Sequence, residues 1–143
     1  MNKYIAWLPA LMILGTVIYQ PVKKVNETKP VSKSISFSVY KGSKYSSGIY
    51  DNTSAQVQIV VEKVNNRGER TTVWDTTLDA KLLKQYPTAA QALSQRITVS
   101  NVNEKKEHLE VKYVLTYNSK GSELQMQDDM VVSEKSSKLN ISI

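Results

Sequence analysis

The sequence predicts a mainly β protein: a two-sheet antiparallel β-sandwich with one short crossover helix, preceded by an N-terminal hydrophobic helix. Three observations predict it. Apolar residues alternate with polar ones through much of residues 35–143, turns containing Asn and Gly separate several of these runs, and one uncharged apolar tract stands near the N-terminus. An alternation of period two puts apolar side chains on one face of a strand, which is typical of half-buried sheets.

The alternating runs account for the predicted strands. Apolar side chains recur at every second position in Ile35–Val39, Ala55–Val61 and Leu109–Tyr117. The pattern continues in three shorter runs, Leu124–Met126, Met130–Val132 and Leu139–Ile143. Each run therefore has one face suited to a core and one suited to solvent.

Two tight turns connect pairs of these strands. Asn65-Asn66-Arg67-Gly68 and Asn118-Ser119-Lys120-Gly121 share the pattern Asn-x-basic-Gly. This pattern favours a type I turn followed by a glycine in the left-handed region of φ/ψ space. Both segments are therefore predicted to be β-hairpin connections.

The segment Leu78–Gln95 interrupts the alternation. Asp79 is suited to cap a short helix that runs through Tyr86 and ends at Pro87, and Thr88 can start a further turn or two. We expect this segment to cross between strands. Roughly seven or eight short strands and one crossover indicate a sandwich of the immunoglobulin-like or fibronectin-like type.

The tract Tyr4–Tyr19 carries no charge and follows Lys3. As a helix its 16 residues would span about 24 Å, slightly less than the roughly 30 Å hydrocarbon core of a bilayer. No small-residue cleavage motif follows it. An uncleaved membrane anchor at residues 1–20 is therefore favoured over a cleaved signal and over a buried core helix. A polar linker is predicted at 21–34 and the β domain at 35–143.

The side of the membrane on which the domain lies is predicted from two opposing signals. Lys23, Lys24 and Lys29 follow the tract, and by the positive-inside rule they favour a cytoplasmic domain. The N-terminal position of the tract and the Ser/Thr-rich β composition favour export. We expect a domain anchored in the lipid bilayer through residues 4–19 and lying outside the cytoplasm, periplasmic or extracellular. Secretion after signal cleavage is the alternative.

The net charge of +6 is spread too evenly to indicate nucleic-acid binding. Residues 1–30 contribute +3, beside the predicted membrane segment, and the other 113 residues contribute the remaining +3. Phosphate recognition requires clustered cations. The chain contains no cysteine, so disulfides and lipid attachment at cysteine are excluded.

The sequence contains few groups suited to catalysis or metal binding. His108 is the single histidine, and its place after a charged loop predicts a surface residue. Nucleophile-elbow, phosphate-loop and dinucleotide motifs are absent. Asp128-Asp129 and Asp51-Asn52 lack the spaced acidic pattern of a calcium loop. We therefore expect no enzymatic activity, no metal and no cofactor. An enzyme that depends on His108 is the least favoured hypothesis.

The candidate binding residues are aromatic and basic. The segment Tyr40–Tyr50 is rich in tyrosine, lysine and glycine, a composition suited to a contact surface; the alternative is a short strand at Tyr45–Tyr50 that covers the sandwich edge. Trp74 is suited either to core packing or to ligand stacking. The candidate residues are Tyr40, Lys44, Tyr45, Tyr50 and Trp74.

These observations predict a non-enzymatic, membrane-tethered extracytoplasmic module that binds or positions another macromolecule, with a protein as the expected partner. The alternative is a secreted domain that binds a carbohydrate or another small ligand through its surface aromatics.

Overall fold

A computed structural model of the chain describes residues 29–45 and 48–143. The predicted hydrophobic segment at 1–20 and most of the linker at 21–34 lie outside the described residues. Among the described residues, no helix has the length and apolar character needed to cross a membrane.

The described part of the chain contains seven strands. Their bounds are β1 Val31–Tyr40, β2 Thr53–Asn65, β3 Arg70–Leu82, β4 Leu93–Val102, β5 Glu107–Ser119, β6 Ser122–Val132 and β7 Ser136–Ser142. Four single 3-10 turns lie between them, at Ser43–Tyr45, Gly48–Tyr50, Leu83–Gln85 and Ala89–Gln91. The prediction of a mainly β protein is therefore confirmed. The first strand begins at Val31, within the segment 21–34 that the sequence predicts as linker.

The strands form two sheets of unequal width. The three-stranded sheet has the order β4-β1-β7, and the four-stranded sheet has the order β3-β2-β5-β6. All pairs are antiparallel except β1 and β7, which are parallel. The expectation of entirely antiparallel sheets is wrong at this pair, because the short connection 133–135 carries the chain from β6 into the other sheet alongside β1. The strand order also differs from that of constant-type immunoglobulin domains, which is 1-2-5-4 and 3-6-7.

The inner faces of the two sheets share one hydrophobic core. Ile35, Phe37 and Val39 of β1 are buried together with the inward side chains of β2 and β5. On the facing sheet, Val57, Ile59 and Val61 occupy alternate positions of β2. The period-two pattern of the sequence thus corresponds to burial, as expected for sheets packed face to face.

The predicted crossover helix from Asp79 to Tyr86 does not form. Strand β3 continues through Leu82, paired with Ser54 of β2, so the sheet satisfies the backbone groups that a helix would have used. A helix of this length ending at a proline has little stability of its own. A single 3-10 turn instead buries Leu83, and the Tyr86 hydroxyl donates a 2.9 Å hydrogen bond to the carbonyl of Ala55.

The two hairpin turns form at the predicted positions with different geometries. Gly68 has φ 81° and its N–H donates to the Asn65 carbonyl at 2.9 Å, as the sequence pattern predicts. In the second hairpin Ser119 pairs with Ser122, and both central residues, Lys120 (φ 51°) and Gly121 (φ 82°), are left-handed. That combination defines a type I′ turn, whose twist matches a two-residue hairpin.

A buried lysine joins the two sheets at the end where β1 begins. The Lys33 side chain is 3% exposed. Its ammonium donates hydrogen bonds to the carbonyls of Val132 (2.9 Å) and Ser133 (3.0 Å) and forms a 3.0 Å ion pair with Glu104. The cation therefore links β1 to the end of β6 and to the loop between β4 and β5. The sequence pattern predicts a linker position for this residue.

Replacing Lys33 with alanine should lower the free energy of unfolding by about 3 kcal/mol, because two carbonyls and one carboxylate lose their common partner. Urea denaturation monitored by circular dichroism measures this difference. Lys81→Ala, at an exposed position of β3, is the matched control and should change the value by less than about 0.5 kcal/mol. An equal effect of the two substitutions would show that Lys33 does not hold the sheets together.

Candidate functional site: a tyrosine-lined cleft

The connection from β1 to β2 is fixed against the C-terminal end of β7. The Gly42 N–H donates to the Ile143 carbonyl at 2.8 Å, and the Lys41 N–H donates to the Pro87 carbonyl at 2.8 Å. A Cβ at Gly42 would lie 2.7 Å from Ser142 Oγ, so the close approach of the two segments favours glycine here. This anchoring sets the position of the two 3-10 turns that follow.

Those turns bring three tyrosines together. The rings of Tyr45 and Tyr50 meet edge to face, with centroids 5.2 Å apart and an interplanar angle of 76°. Tyr45 also contacts Tyr117 of β5, with centroids 6.0 Å apart. Burial, together with the neighbouring Tyr45, raises the pKa of the Tyr117 hydroxyl above its ordinary value. The three rings therefore form a packed aromatic wall.

A cleft of about 320 Å³ opens beside this wall and is called the tyrosine cleft below. Its base includes the buried Leu83. Three large apolar side chains at the cleft are exposed: Ile49 at 77%, Leu124 at 60% and Met126 at 51%. Exposed apolar surface concentrated at one concave place is typical of a binding site.

The cleft is open because no strand of the three-stranded sheet covers the end of β6 that carries Leu124 and Met126. Leu124 is paired with Tyr117, and Met126 with Leu115. Since Tyr117 and Leu115 are buried, alternation places Leu124 and Met126 on the inner face of the four-stranded sheet. Further along the same face Met130 packs against the core. The narrower sheet therefore covers one end of β6 and leaves the other end exposed.

The polar groups at the cleft are few. Thr53 is buried and its hydroxyl donates to Ser119 Oγ at 3.2 Å, while Ser122 and Glu123 lie at the rim. Among the described residues there is no group of three or more His, Cys, Asp or Glu side chains arranged to hold a metal ion. The geometry suits an apolar group that enters the cleft and meets a polar rim.

The structure brings together only some of the predicted binding residues. Tyr45 and Tyr50 line the cleft, and Lys44 is exposed on the turn that carries Tyr45. The alternative of a strand at Tyr45–Tyr50 is wrong, because both tyrosines lie on 3-10 turns. Tyr40 borders a different hollow, on the outer face of the three-stranded sheet.

Trp74 lies apart from the tyrosine cleft. Its ring stacks on Phe37 of the facing sheet, with centroids 5.3 Å apart and an interplanar angle of 9°. One face of the indole is thus engaged in packing between the sheets, in agreement with the core-packing alternative. A ligand-stacking platform that combines Trp74 with the tyrosines is not present in this arrangement.

Sequence reasoning missed Ile49, Leu124 and Met126 as site residues. The alternation assigned Leu124 and Met126 to the inner face of a strand, which by itself predicts burial. Only the pairing of a narrow sheet with a wider one leaves these side chains exposed. Tyr117 carried a stronger signal, since it ends the longest alternating run and directly precedes a turn.

His108 belongs to an ion-pair network on the outer face of the four-stranded sheet. Its Nε2 hydrogen bonds to Glu110 at 2.9 Å, and Arg70 bridges Glu110 (2.6 Å) and Glu62 (3.0 Å). The hydrogen bonds from His108 and Arg70 hold the pKa of the Glu110 carboxyl below its ordinary value of 4.5. The network joins β3, β2 and β5 and lies away from the residues of the tyrosine cleft.

The two acidic pairs considered as metal ligands differ in their contacts. Asp128 accepts a 3.2 Å hydrogen bond from the Tyr113 hydroxyl and a 2.9 Å bond from the N–H of Asp129. The Asp51 N–H donates to the carbonyl of Gly48, which closes the second 3-10 turn. The Asp128 carboxylate is therefore used in local structure, whereas the contact of Asp51 is made by its backbone.

Comparison with known proteins gives no relative for this chain. No protein-family model matches it, and neither the curated proteins nor the solved structures give a significant match. The function is therefore inferred from the residues and geometry of the chain itself.

The Glu110 network should make stability depend on pH in the acidic range. A carboxyl whose pKa is lowered by folding stabilises the folded state above its ordinary pKa, and this contribution is lost as the pH falls through the folded-state value. The native chain should therefore be more stable than Glu110→Gln above pH 4.5, and the difference should shrink at lower pH. Thermal melts from pH 7 to pH 2 measure it.

The exposed Glu134 provides the control for that experiment, because no ion pair to it is formed within the described residues. Glu134→Gln should leave the acid limb of the stability curve close to that of the native chain. If Glu110→Gln and the native chain lose stability in parallel down to the lowest pH, the network does not contribute in the way described.

Proposed function

We propose that this protein is a non-enzymatic binding module that holds a partner protein by accepting apolar side chains in the tyrosine cleft. The observation that carries the proposal is the convergence of Ile49, Leu124 and Met126, each more than half exposed, on a cleft walled by packed tyrosines. Large exposed apolar side chains gathered at one concave place favour association.

The energetics support a binding role. Burial of apolar surface stabilises a complex by roughly 25 cal/mol per Å², and the cost of ordering flexible side chains on association reduces that gain. Tyr45, Tyr50 and Tyr117 are already held against one another, so little further ordering is needed on that wall. Ser122 and Glu123 at the polar rim can orient the partner through hydrogen bonds.

The scaffold we propose is a β-sandwich that resembles immunoglobulin-like domains in its layering but not in its strand order. A membrane tether through Tyr4–Tyr19 and a location outside the cytoplasm complete the proposal, supported by the uncharged apolar tract. Release after signal cleavage is the alternative location.

The position of the cleft fits a tethered module. The chain enters the domain at Val31, and the β1–β2 connection that carries Tyr45 leaves from the far end of the same strand at Tyr40. Ten residues of strand span roughly 33 Å. A tether that joins the domain before Val31 therefore lies at the end of the domain opposite the cleft. The cleft is then accessible to a partner.

A small apolar ligand is the second candidate. The cleft volume of about 320 Å³ lies at the lower end of the range for small-molecule sites, about 300–1,000 Å³. Such a ligand would use the same tyrosines and Met126. The packing of Trp74 on Phe37 disfavours the version of this alternative in which the tryptophan stacks on a sugar.

Site-specific photo-crosslinking in the native host tests the proposal. A photoreactive phenylalanine analogue at position 49 should cross-link one partner protein, and the same group at position 73 should not. The substitutions Leu124→Ser and Met126→Ser together should lower the yield about tenfold or more, because burial of each side chain contributes on the order of 1.5 kcal/mol.

Val131→Ser with Val73→Ser is the matched control, since these exposed valines lie outside the cleft. It should leave the yield unchanged. No protein adduct, together with an apolar compound that co-purifies with the native chain but not with the cleft variant, would favour the small-ligand candidate. Equal behaviour of the cleft variant and the control would contradict both.

A further inference from the structure

The outer face of the three-stranded sheet has an unusual composition. Strands β1, β4 and β7 contain no Asp or Glu. Their outward residues form three rows across the sheet, and each row has a serine of β1 at its centre. The rows are Thr98–Ser34–Ser136, Arg96–Ser36–Lys138 and Ser94–Ser38–Asn140. The face is therefore rich in hydroxyls and carries two cations in one row.

This face is hollowed rather than flat. Two adjoining hollows of about 320 and 420 Å³ share Ser38, Ser94 and Lys138. The 3-10 turn Ala89–Gln91 borders one of them, with Tyr40 and Asn140 also at its edge. Together the hollows form a continuous depression over β1, which we call the serine groove.

Ser38 forms part of both hollows and is only 9% exposed. Within the described residues its hydroxyl makes no hydrogen bond to the protein. No buried side-chain nitrogen or oxygen of the described residues lacks a hydrogen-bond partner, so the Ser38 hydroxyl is open to the groove although most of the residue is covered. The arrangement is that of a group available to a ligand.

The two cations of the groove also have unused donors. Arg96 Nε donates to Ser36 Oγ at 3.1 Å, which orients the guanidinium across the sheet toward Ser36. In the described part of the chain neither Arg96 nor Lys138 forms an ion pair with an acidic side chain. Since β4 and β7 flank β1, their backbones lie about 10 Å apart. One anionic group above Ser36 can therefore be reached by both side chains.

We propose that the serine groove binds an anionic polysaccharide, with Arg96 and Lys138 on one acidic group of the chain and Ser38 on a neighbouring sugar hydroxyl. A ligand rich in hydroxyls satisfies the serine row, and a carboxylate or a sulfate or phosphate ester satisfies the cations. This site is separate from the tyrosine cleft and does not depend on the function proposed for it.

Nucleic acid fits the groove less well than a glycan. Single-stranded nucleic acid is held by several phosphate contacts along a basic track and by stacking on successive aromatic rings. The groove supplies two cations in a single row and one half-buried tyrosine, Tyr40. Its predominant groups are hydroxyls, which match those of a sugar polymer.

Binding of end-labelled polymers to the full chain in non-ionic detergent tests this site. Polygalacturonate supplies carboxylate groups and dextran sulfate supplies sulfate esters. Neutral dextran is the uncharged control, and oligothymidylate represents single-stranded nucleic acid. We expect one or both acidic glycans to bind, with neutral dextran and oligothymidylate much weaker. Binding of polygalacturonate alone assigns the site to carboxylates, and binding of dextran sulfate alone assigns it to esters.

The substitutions Arg96→Gln and Lys138→Gln together should weaken binding of the acidic glycan about tenfold or more, since charge-assisted hydrogen bonds are lost. Ser38→Ala should weaken it several-fold, and thermal melts confirm that each variant folds. Arg67→Gln, in the β2–β3 turn, with Lys81→Gln, on β3, removes the same charge from exposed positions outside the groove and should change the affinity less than about twofold.

Four results would overturn the proposal: no binding of either acidic glycan, equal binding of neutral dextran, tighter binding of oligothymidylate, or equal losses in the two double variants. An unchanged affinity in Ser38→Ala would remove the hydroxyl from the site and with it the argument for a sugar ligand. The cleft variant Leu124→Ser/Met126→Ser should bind the glycan normally, because its residues lie on the other sheet.

Discussion

A single hydrophobic core fills the space between a three-stranded and a four-stranded sheet, and the unequal widths of the sheets leave open the cleft at which we propose that a partner binds. Ile35, Phe37 and Val39 of the central strand β1 pack onto the inner face of the wider sheet. The inner face of β6 extends beyond that cover at Leu124 and Met126. The tyrosine cleft is formed where these side chains meet the β1–β2 connection.

Different contacts close the two ends of the domain. At one end Lys33 connects β1 to the last carbonyls of β6 and to Glu104. At the other end Gly42 and Ile143 join the β1–β2 connection to the end of β7. A membrane tether would enter at the first end and the cleft lies at the second, so anchoring and binding need not interfere.

The outer faces of the two sheets differ in chemistry. On the wider sheet, Arg70 forms ion pairs with Glu62 and Glu110, and Lys112 lies 3.9 Å from Glu62. The narrower sheet has cations and hydroxyls without acidic residues in its strands. One small domain thus presents an apolar cleft and a separate polar groove, two surfaces suited to different partners.

Much of the fold could be predicted from the sequence because burial follows the two-residue period, as in β1, β2 and β5. The turn at Gly68 was also predictable from local chemistry. The prediction of a helix at Asp79–Tyr86 was wrong because local propensity contains no information on the pairing of Leu82 with Ser54. Lys33 was assigned to a linker because its partners are about 100 residues away in the sequence, at Val132 and Ser133.

The candidate site was predictable only in part. Tyr45 and Tyr50 stood out by composition, whereas Leu124 and Met126 resemble ordinary inward strand positions. Their exposure depends on the relative widths of the two sheets, which no local pattern encodes. Likewise, the row Arg96–Ser36–Lys138 combines residues from three strands, and its two cations become neighbours only through the pairing of β1 with β4 and β7.

Methyl NMR of the methionines offers the most direct test of the account, because Met126 lies at the cleft while Met130, on the same strand face, packs against the core. Titration of the chain with p-cresol, a small apolar analogue of a tyrosine side chain, should shift the Met126 methyl resonance in a saturable manner and leave that of Met130 nearly unchanged. Saturable binding that shifts neither methyl, or shifts Met130 alone, would contradict the claim that the uncovered end of β6 forms the binding surface.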